Sequence, residues 1–368
     1  MELTTLQPPP WVKPQSSYTN NQPTPPGPRH GHWSDRTPNA AFEQAEQEAE
    51  RLNLQAWGYG RNGTLAEFKN ALQKLPALVS PDSPRLGEDV VSNILTAPAR
   101  DGTPIELRVY RSTRAATTLA TLAFKIHGGG WVVGDSSVEE LENRWLGAQP
   151  DVVVASVHYR MAPEFPFPTP LNDCWDMLNW CKSNHQDLGI DPEKVVLLGC
   201  SAGGNLAAAL AIMARDAGLT GIIGQHLSIP VTCHPKFFNE AHSIHGPMEL
   251  LSWQQNRNAA LVDAVRMETF WDLYVGTEPE PDPLHSPLLC PDLKGLPQAM
   301  VQVAGYDPLR DEGIEYAEAL KAAGVKVVSH VYKGLPHGFY NFLVLEEAHL
   351  YYRRVVDFVR RCAKRVEL

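Results

Sequence analysis

The chain has 368 residues, long enough to bury a large core as one α/β domain with insertions or as two smaller domains. Its 32 basic and 42 acidic side chains leave a formal net charge of -10, which offers nucleic acid no electrostatic footprint. No run of about 18 apolar residues occurs, and Met1-Glu2-Leu3-Thr4-Thr5 has neither a basic nor an apolar leader, so no membrane span and no secretory signal are expected. The six cysteines (Cys174, Cys181, Cys200, Cys233, Cys290, Cys362) lack metal-ligand spacing and are sparse for a disulfide scaffold, so they read as reduced core thiols of a cytoplasmic protein.

Residues 1–38 are rich in Pro, Gln, Asn and Ser, with Pro8-Pro9-Pro10 and Pro23-Thr24-Pro25-Pro26, and read as a flexible or loosely docked arm. Residues 39–84 carry helical patterns at Ala40–Leu54 and Leu65–Leu75. From about Asp89 strands begin: Val90–Leu95, Ile105–Tyr110, Leu122–Ile126 and Val152–Val157, then Val195–Leu198, Met300–Val303 and Val325–Tyr332. Asp101-Gly102-Thr103-Pro104 is the expected turn between the first two. Helical patterns at Val138–Leu146, Leu171–His185, Ser201–Arg215, Glu312–Ala323 and Glu346–Arg361 alternate with the strands. That alternation predicts an α/β fold with a mostly parallel sheet covered on both faces. The core is expected over 85–224 and 281–368, with 225–280, including a helical Leu251–Tyr274, as an insertion over one end of the sheet.

Two motifs each follow a strand. Gly199-Cys200-Ser201-Ala202-Gly203-Gly204 joins the apolar run Val195–Leu198 to the Ala-rich helix from Asn205. A serine at such a crowded turn needs small neighbours, and the turn lifts its hydroxyl above the sheet at a helix N-terminus. His127-Gly128-Gly129-Gly130-Trp131 follows Leu122–Ile126, and three glycines let backbone N–H groups approach a ligand closely. A phosphate cradle and an oxyanion hole both fit that loop, although no other phosphate motif accompanies it.

Together these motifs resemble the hormone-sensitive-lipase family of α/β-hydrolases. So do Tyr159-Arg160-Met161-Ala162-Pro163-Glu164, Asp307-Pro308-Leu309-Arg310-Asp311-Glu312-Gly313 and His337-Gly338-Phe339, so that the resemblance covers roughly 85–365. It implies an α/β-hydrolase fold and a Ser201, Asp307, His337 triad in the chain order the fold requires. The oxyanion hole it implies is made by the N–H groups of Gly129, Gly130 and Ala202, with Gly128 in support. The helical part of 39–84 and the insertion at 225–280 lie largely outside the resemblance and carry apolar residues such as Leu65, Phe68, Trp253 and Phe270. They are expected to form a helical cap over the carboxyl edge. Asp311 is a rival acid four residues after Asp307, and His337 is one of thirteen histidines. His127 is expected to brace the glycine loop, while Asp311, Glu312 and Glu164 are expected to pair with Arg160 or Arg310.

The residue before the nucleophile is usually acidic in one subgroup of the family and Thr in another; here it is Cys200. The resemblance implies a cytoplasmic serine esterase that acts on small to medium esters or thioesters without a metal or organic cofactor, and it leaves room for a homodimer. An acyltransferase, thioester-releasing or cyclising enzyme would use the same triad, and a non-enzymatic small-molecule receptor is the third reading.

Overall fold

The structure, a computed structural model, describes residues 83–114, 118–259 and 261–364. The arm expected at 1–38 and the helices expected within 39–76 lie outside the described residues. Eight strands form one sheet: β1 (Val90–Pro98), β2 (Pro104–Ser112), β3 (Ala120–Ile126), β4 (Val152–His158), β5 (Ile190–Cys200), β6 (Ile222–Ser228), β7 (Ala299–Tyr306) and β8 (Val327–Pro336). Their spatial order is β1-β2-β4-β3-β5-β6-β7-β8. β1 and β2 form an antiparallel hairpin and β2 runs antiparallel to β4, whereas every pairing from β4 to β8 is parallel. The hairpin turns where expected: Asp101 Oδ1 accepts the Thr103 N–H at 3.0 Å, and Gly102 takes φ 83°.

Among the described residues the longer helices are α1 (Glu140–Gly147), α2 (Thr169–Ser183), α3 (Ala202–Asp216), α4 (Phe238–His245), α5 (Ala264–Val275), α6 (Arg310–Ala322) and α7 (Glu346–Ala363). Side chains alternate across each strand, so β3 sends Leu122, Phe124 and Ile126 into a core shared with α2, α3 and α6. Ala123 points the other way, into a second core with Leu141 of α1 and Tyr351, Val355 and Phe358 of α7. Both faces of the parallel part are therefore dry, which is why its strands read as apolar runs.

Two expectations are corrected. The insertion was expected from residue 225, yet Gln225–Ser228 belong to β6 inside the sheet, so the chain leaves the sheet only after Ser228. The strand is hard to read because Gln225, His226 and Ser228 are polar although fully buried. Two of them reach distant partners: Gln225 Nε2 donates to Pro297 O at 3.1 Å, and Gln302 Nε2 donates to His226 Nε2 at 3.1 Å. The long helix expected over Leu251–Tyr274 is broken into a single turn at Ser252–Gln255 and α5. Leu261 sits at φ 68°, and Asp263 restarts the helix by accepting the Arg266 N–H at 2.7 Å.

The start of α3 is pressed onto the end of β3. A Cβ at Gly203 would fall 2.1 Å from Ile126 O and 2.5 Å from His127 O, both backbone atoms that cannot step aside alone. Gly203→Ala is expected to lower stability by about 1–3 kcal/mol, read from urea unfolding. Burial lowers the His226 pKa from 6.5 to about 4, so the unfolded chain takes up the proton first as pH falls. Stability is therefore fully present above about 6.5 and is lost towards pH 4. The urea midpoint should fall across that window, and His226→Asn should flatten the fall.

Candidate active site

Four loops leave the carboxyl ends of strands in the parallel part of the sheet: His127 follows β3, Ser201 follows β5, Asp307 follows β7 and His337 follows β8. That edge is where open α/β sheets gather ligands. Ser201 and His337 are 8% and 7% exposed, while Asp307 is 1% exposed.

Ser201 occupies φ 53°, ψ -119°, a strained conformation for an L-residue. It is fixed from both sides: its N–H donates to Ser228 O at 2.8 Å, and its carbonyl accepts the Asn205 N–H at 3.0 Å. Asn205 in turn donates its side-chain amide to Val231 O at 3.0 Å and His285 O at 2.8 Å. Ser201 Oγ then lies 3.0 Å from His337 Nε2, and His337 Nδ1 lies 2.7 Å from Asp307 Oδ2. A carboxylate only accepts, so Nδ1 carries the proton and the Nε2 lone pair faces the hydroxyl. Asp307 is steadied by the Leu309 N–H on Oδ1 at 2.9 Å and by the Asn256 amide on its carbonyl at 2.9 Å.

Asp311, the rival acid, faces elsewhere. It pairs with Arg310 Nε at 2.6 Å and accepts the N–H groups of Leu251 and Ser252 at 2.9 and 2.7 Å. Glu312 accepts the Thr232 N–H at 2.7 Å, and burial pushes its carboxyl well up. Arg160 pairs with Asp101 and with Asp173, each at 2.6 Å. Asp311 and Glu312 thus tie the Asp307 loop to the segment after β6.

The glycine loop lies against the serine. A Cβ at Gly128 would meet Cys200 O at 3.0 Å and Ser201 Cβ at 3.5 Å. Gly129 and Gly130 take φ 115° and 62°, and a Cβ at Gly129 would fall 2.0 Å from Val133 O. Ala202 is the first residue of α3, where a helix offers its N–H no internal acceptor. His127 braces the loop as expected: its Nδ1 donates to Gly128 O at 2.7 Å, its ring stacks on Tyr159 at 4.3 Å, and the Tyr159 hydroxyl donates to its carbonyl at 2.9 Å. Burial lowers the His127 pKa to about 4, so this ring is neutral at physiological pH.

Two further features border the glycine loop, and of these only the buried cluster around Lys125 was not anticipated. Phe270 of α5 packs on the loop, its ring 2.4 Å from where a Cβ of Gly130 would stand. Behind the loop lies a fully buried Lys125 with Glu139 and Glu142. A lysine inside the apolar run Leu122–Ile126 was the available signal, because a buried ammonium demands a partner.

Among the described residues no group of His, Cys, Asp and Glu could hold a metal ion, and no helix is long and apolar enough to cross a membrane. The profile of the alpha/beta hydrolase fold family matches residues 123–341. Carboxylesterase NlhH of Mycobacterium tuberculosis is 34% identical over 250 residues, which cover 67% of this chain and 74% of that protein. The arylesterase of Saccharolobus solfataricus is 34% identical over 238 residues, covering 64% of this chain and 72% of its own. Among solved structures, the hyperthermophilic esterase of the archaeon Pyrobaculum calidifontis matches with a TM-score of 0.75 at 32% identity, over 88% of this chain and 98% of its own. The chain belongs to the family of proteins with the alpha/beta hydrolase fold.

Proposed function

We propose that this protein is a serine carboxylesterase that cleaves carboxylic esters of small to medium size through an acyl-Ser201 intermediate. The observation that carries the reading is the line from Ser201 Oγ to His337 Nε2 at 3.0 Å and from His337 Nδ1 to Asp307 at 2.7 Å. Esterases among its relatives support the substrate class.

A free hydroxyl is a poor nucleophile at neutral pH, so His337 Nε2 accepts the Ser201 proton as Oγ bonds to the acyl carbon. Asp307 keeps the imidazole in the tautomer that can do this and stabilises its positive charge. The carbonyl oxygen becomes an oxyanion, and the N–H groups of Gly129, Gly130 and Ala202 receive it. Imidazolium then protonates the leaving alcohol as the C–O bond breaks. Water, deprotonated by the same Nε2, attacks the acyl-enzyme, and the returning proton frees Ser201 with release of the carboxylic acid. Segment 229–280 forms a cap that excludes water and bounds the acyl pocket, with Phe270 as a wall beside Gly130. All six cysteines are free and buried, which supports a cytoplasmic setting.

Fluorophosphonate labelling and p-nitrophenyl ester hydrolysis test this reading. Ser201→Ala should abolish labelling and lower kcat about 10⁴-fold or more, and His337→Ala should match it within about tenfold, because a triad acts as a unit. Near-normal hydrolysis by His337→Ala would sink the base assignment. Asp307→Asn should be severe in kcat, whereas Asp311→Asn, which breaks a brace and not the relay, should act chiefly on the thermal midpoint. Phe270→Ala should raise kcat/KM for octanoyl over acetyl esters several-fold, since each buried methylene is worth about 0.8 kcal/mol. An unchanged chain-length ratio would remove Phe270 from the pocket.

A further inference from the structure

The N–H of Gly128 donates to Glu139 Oε1 at 3.2 Å, across the start of α1. Glu139 is unusual twice over. It is a non-glycine residue at φ 56°, ψ 35°, and its carboxylate is buried, its side chain only 7% exposed. Neither feature helps α1, because the Glu139 side chain makes no cap bond to that helix. Strained backbone and a buried acid persist together where the surrounding structure holds them for a task.

The surroundings show which task. Lys125, the penultimate residue of β3, places its ammonium 2.6 Å from Glu142 Oε1 and 3.9 Å from Glu139 Oε2. Tyr351 donates its hydroxyl to Glu142 Oε2 at 2.7 Å, so Glu142 is satisfied by Lys125 and α7. Glu139 is thereby left with one close backbone donor, Gly128. Burial disfavours the charge on Lys125, yet Glu142 and Glu139 outweigh it and raise the ammonium pKa; burial raises that of Glu139. The Cys200 thiol, hydrogen-bonded to Tyr340 three residues after His337, closes the cluster under the elbow. A Cβ on Gly128 would come within 3.3 Å of Glu139 Oε1 and 3.5 Å of Ser201 Cβ, so this glycine is wedged between the carboxyl and the nucleophile.

We infer that Glu139 is a positioning residue for the oxyanion loop: by holding the Gly128 N–H it sets Gly129 and Gly130 in register with Ser201. The inference rests on the esterase reading, in which those two N–H groups receive the oxyanion. Glu139 touches neither substrate nor reacting atoms, so its influence is confined to states in which the oxyanion exists. Binding of the uncharged ester is then nearly indifferent to it, and turnover is not. A carboxyl oxygen accepts the bond whether or not the group is ionised, so an amide can replace it.

The test compares Glu139→Ala and Glu139→Gln with the unmodified chain on a p-nitrophenyl ester and on a trifluoromethyl ketone, whose adduct carries an oxyanion. Glu139→Ala is expected to lower kcat about 10- to 100-fold with KM within about twofold, and to weaken the ketone by the same factor. Glu139→Gln should recover most of both losses. Unchanged kcat in the alanine variant, a loss confined to KM, or a glutamine variant as slow as the alanine one would overturn the inference. If Glu139→Ala does not fold, Glu139→Gln decides: ketone affinity within about threefold of the unmodified chain supports the inference, and any larger loss overturns it. Fluorophosphonate labelling of the unmodified chain separates the two readings. A labelled chain insensitive at Glu139 overturns the positioning alone, whereas an unlabelled one overturns the esterase reading and the inference with it.

Discussion

The turn at Ser201 is the constraint on which the site depends. An L-residue at φ 53°, ψ -119° costs on the order of 1–3 kcal/mol, and the chain holds it there by close backbone packing. A Cβ on Gly199 would fall 2.0 Å from Gly203 O, and one on Gly203 would fall 2.1 Å from Ile126 O. Strand β5, helix α3 and the end of β3 thus meet at distances that only glycine permits. The same contact that strains the serine brings the loop after β3 beside it. Nucleophile and glycine loop are consequently one construction, and neither can move without the other.

The parallel sheet supplies the remaining partners at little further cost. Every strand from β3 to β8 in the spatial order ends at the same edge, so residues 201, 307 and 337 arrive together although long stretches of chain separate them. Their loops are then fixed by short local bonds: Leu309 N–H on Asp307, Asn256 on the Asp307 carbonyl, and Ser228 O under the Ser201 N–H. Burial of Asp307 lowers the dielectric around its bond to His337, which strengthens an interaction that water would otherwise weaken.

What the sequence made legible follows from the same physics. Strands buried on both faces appear as unbroken apolar runs, and β3, β4, β5 and β7 were readable for that reason. Ser201 and Asp307 come soon after such runs, and the resemblance to a known family, together with chain order, implied Ser201, Asp307 and His337 as partners at one edge. β6 was not legible because its buried Gln225 and His226 find hydrogen-bond partners remote in sequence, at Pro297 and Gln302. The break before α5 was hidden in a good helical pattern, and it becomes visible only where the Asn256 side-chain amide reaches Asp307 O and Leu261 takes φ 68°. Glu139 and Glu142 read as the polar start of a helix, and only the fold turns them inward onto Lys125.

That cluster also explains the neutral residue before the nucleophile. Cys200 is buried and its thiol pKa is pushed well up, first by burial and next by the Glu139 carboxylate. One lysine already serves two buried carboxylates there, and Glu142 takes the closer contact. A carboxylate at position 200 would be a third anion competing for one cation in a site without water-like screening, and the uncompensated charge would be costly. A thiol adds no charge and still bonds to Tyr340, joining the elbow to the loop that carries His337. Position 200 is therefore set by Lys125, Glu139 and Glu142 together. The departure from the family pattern at Cys200 follows from charge placed elsewhere behind the loop, and the hydroxyl of Ser201 is left as the group the elbow presents.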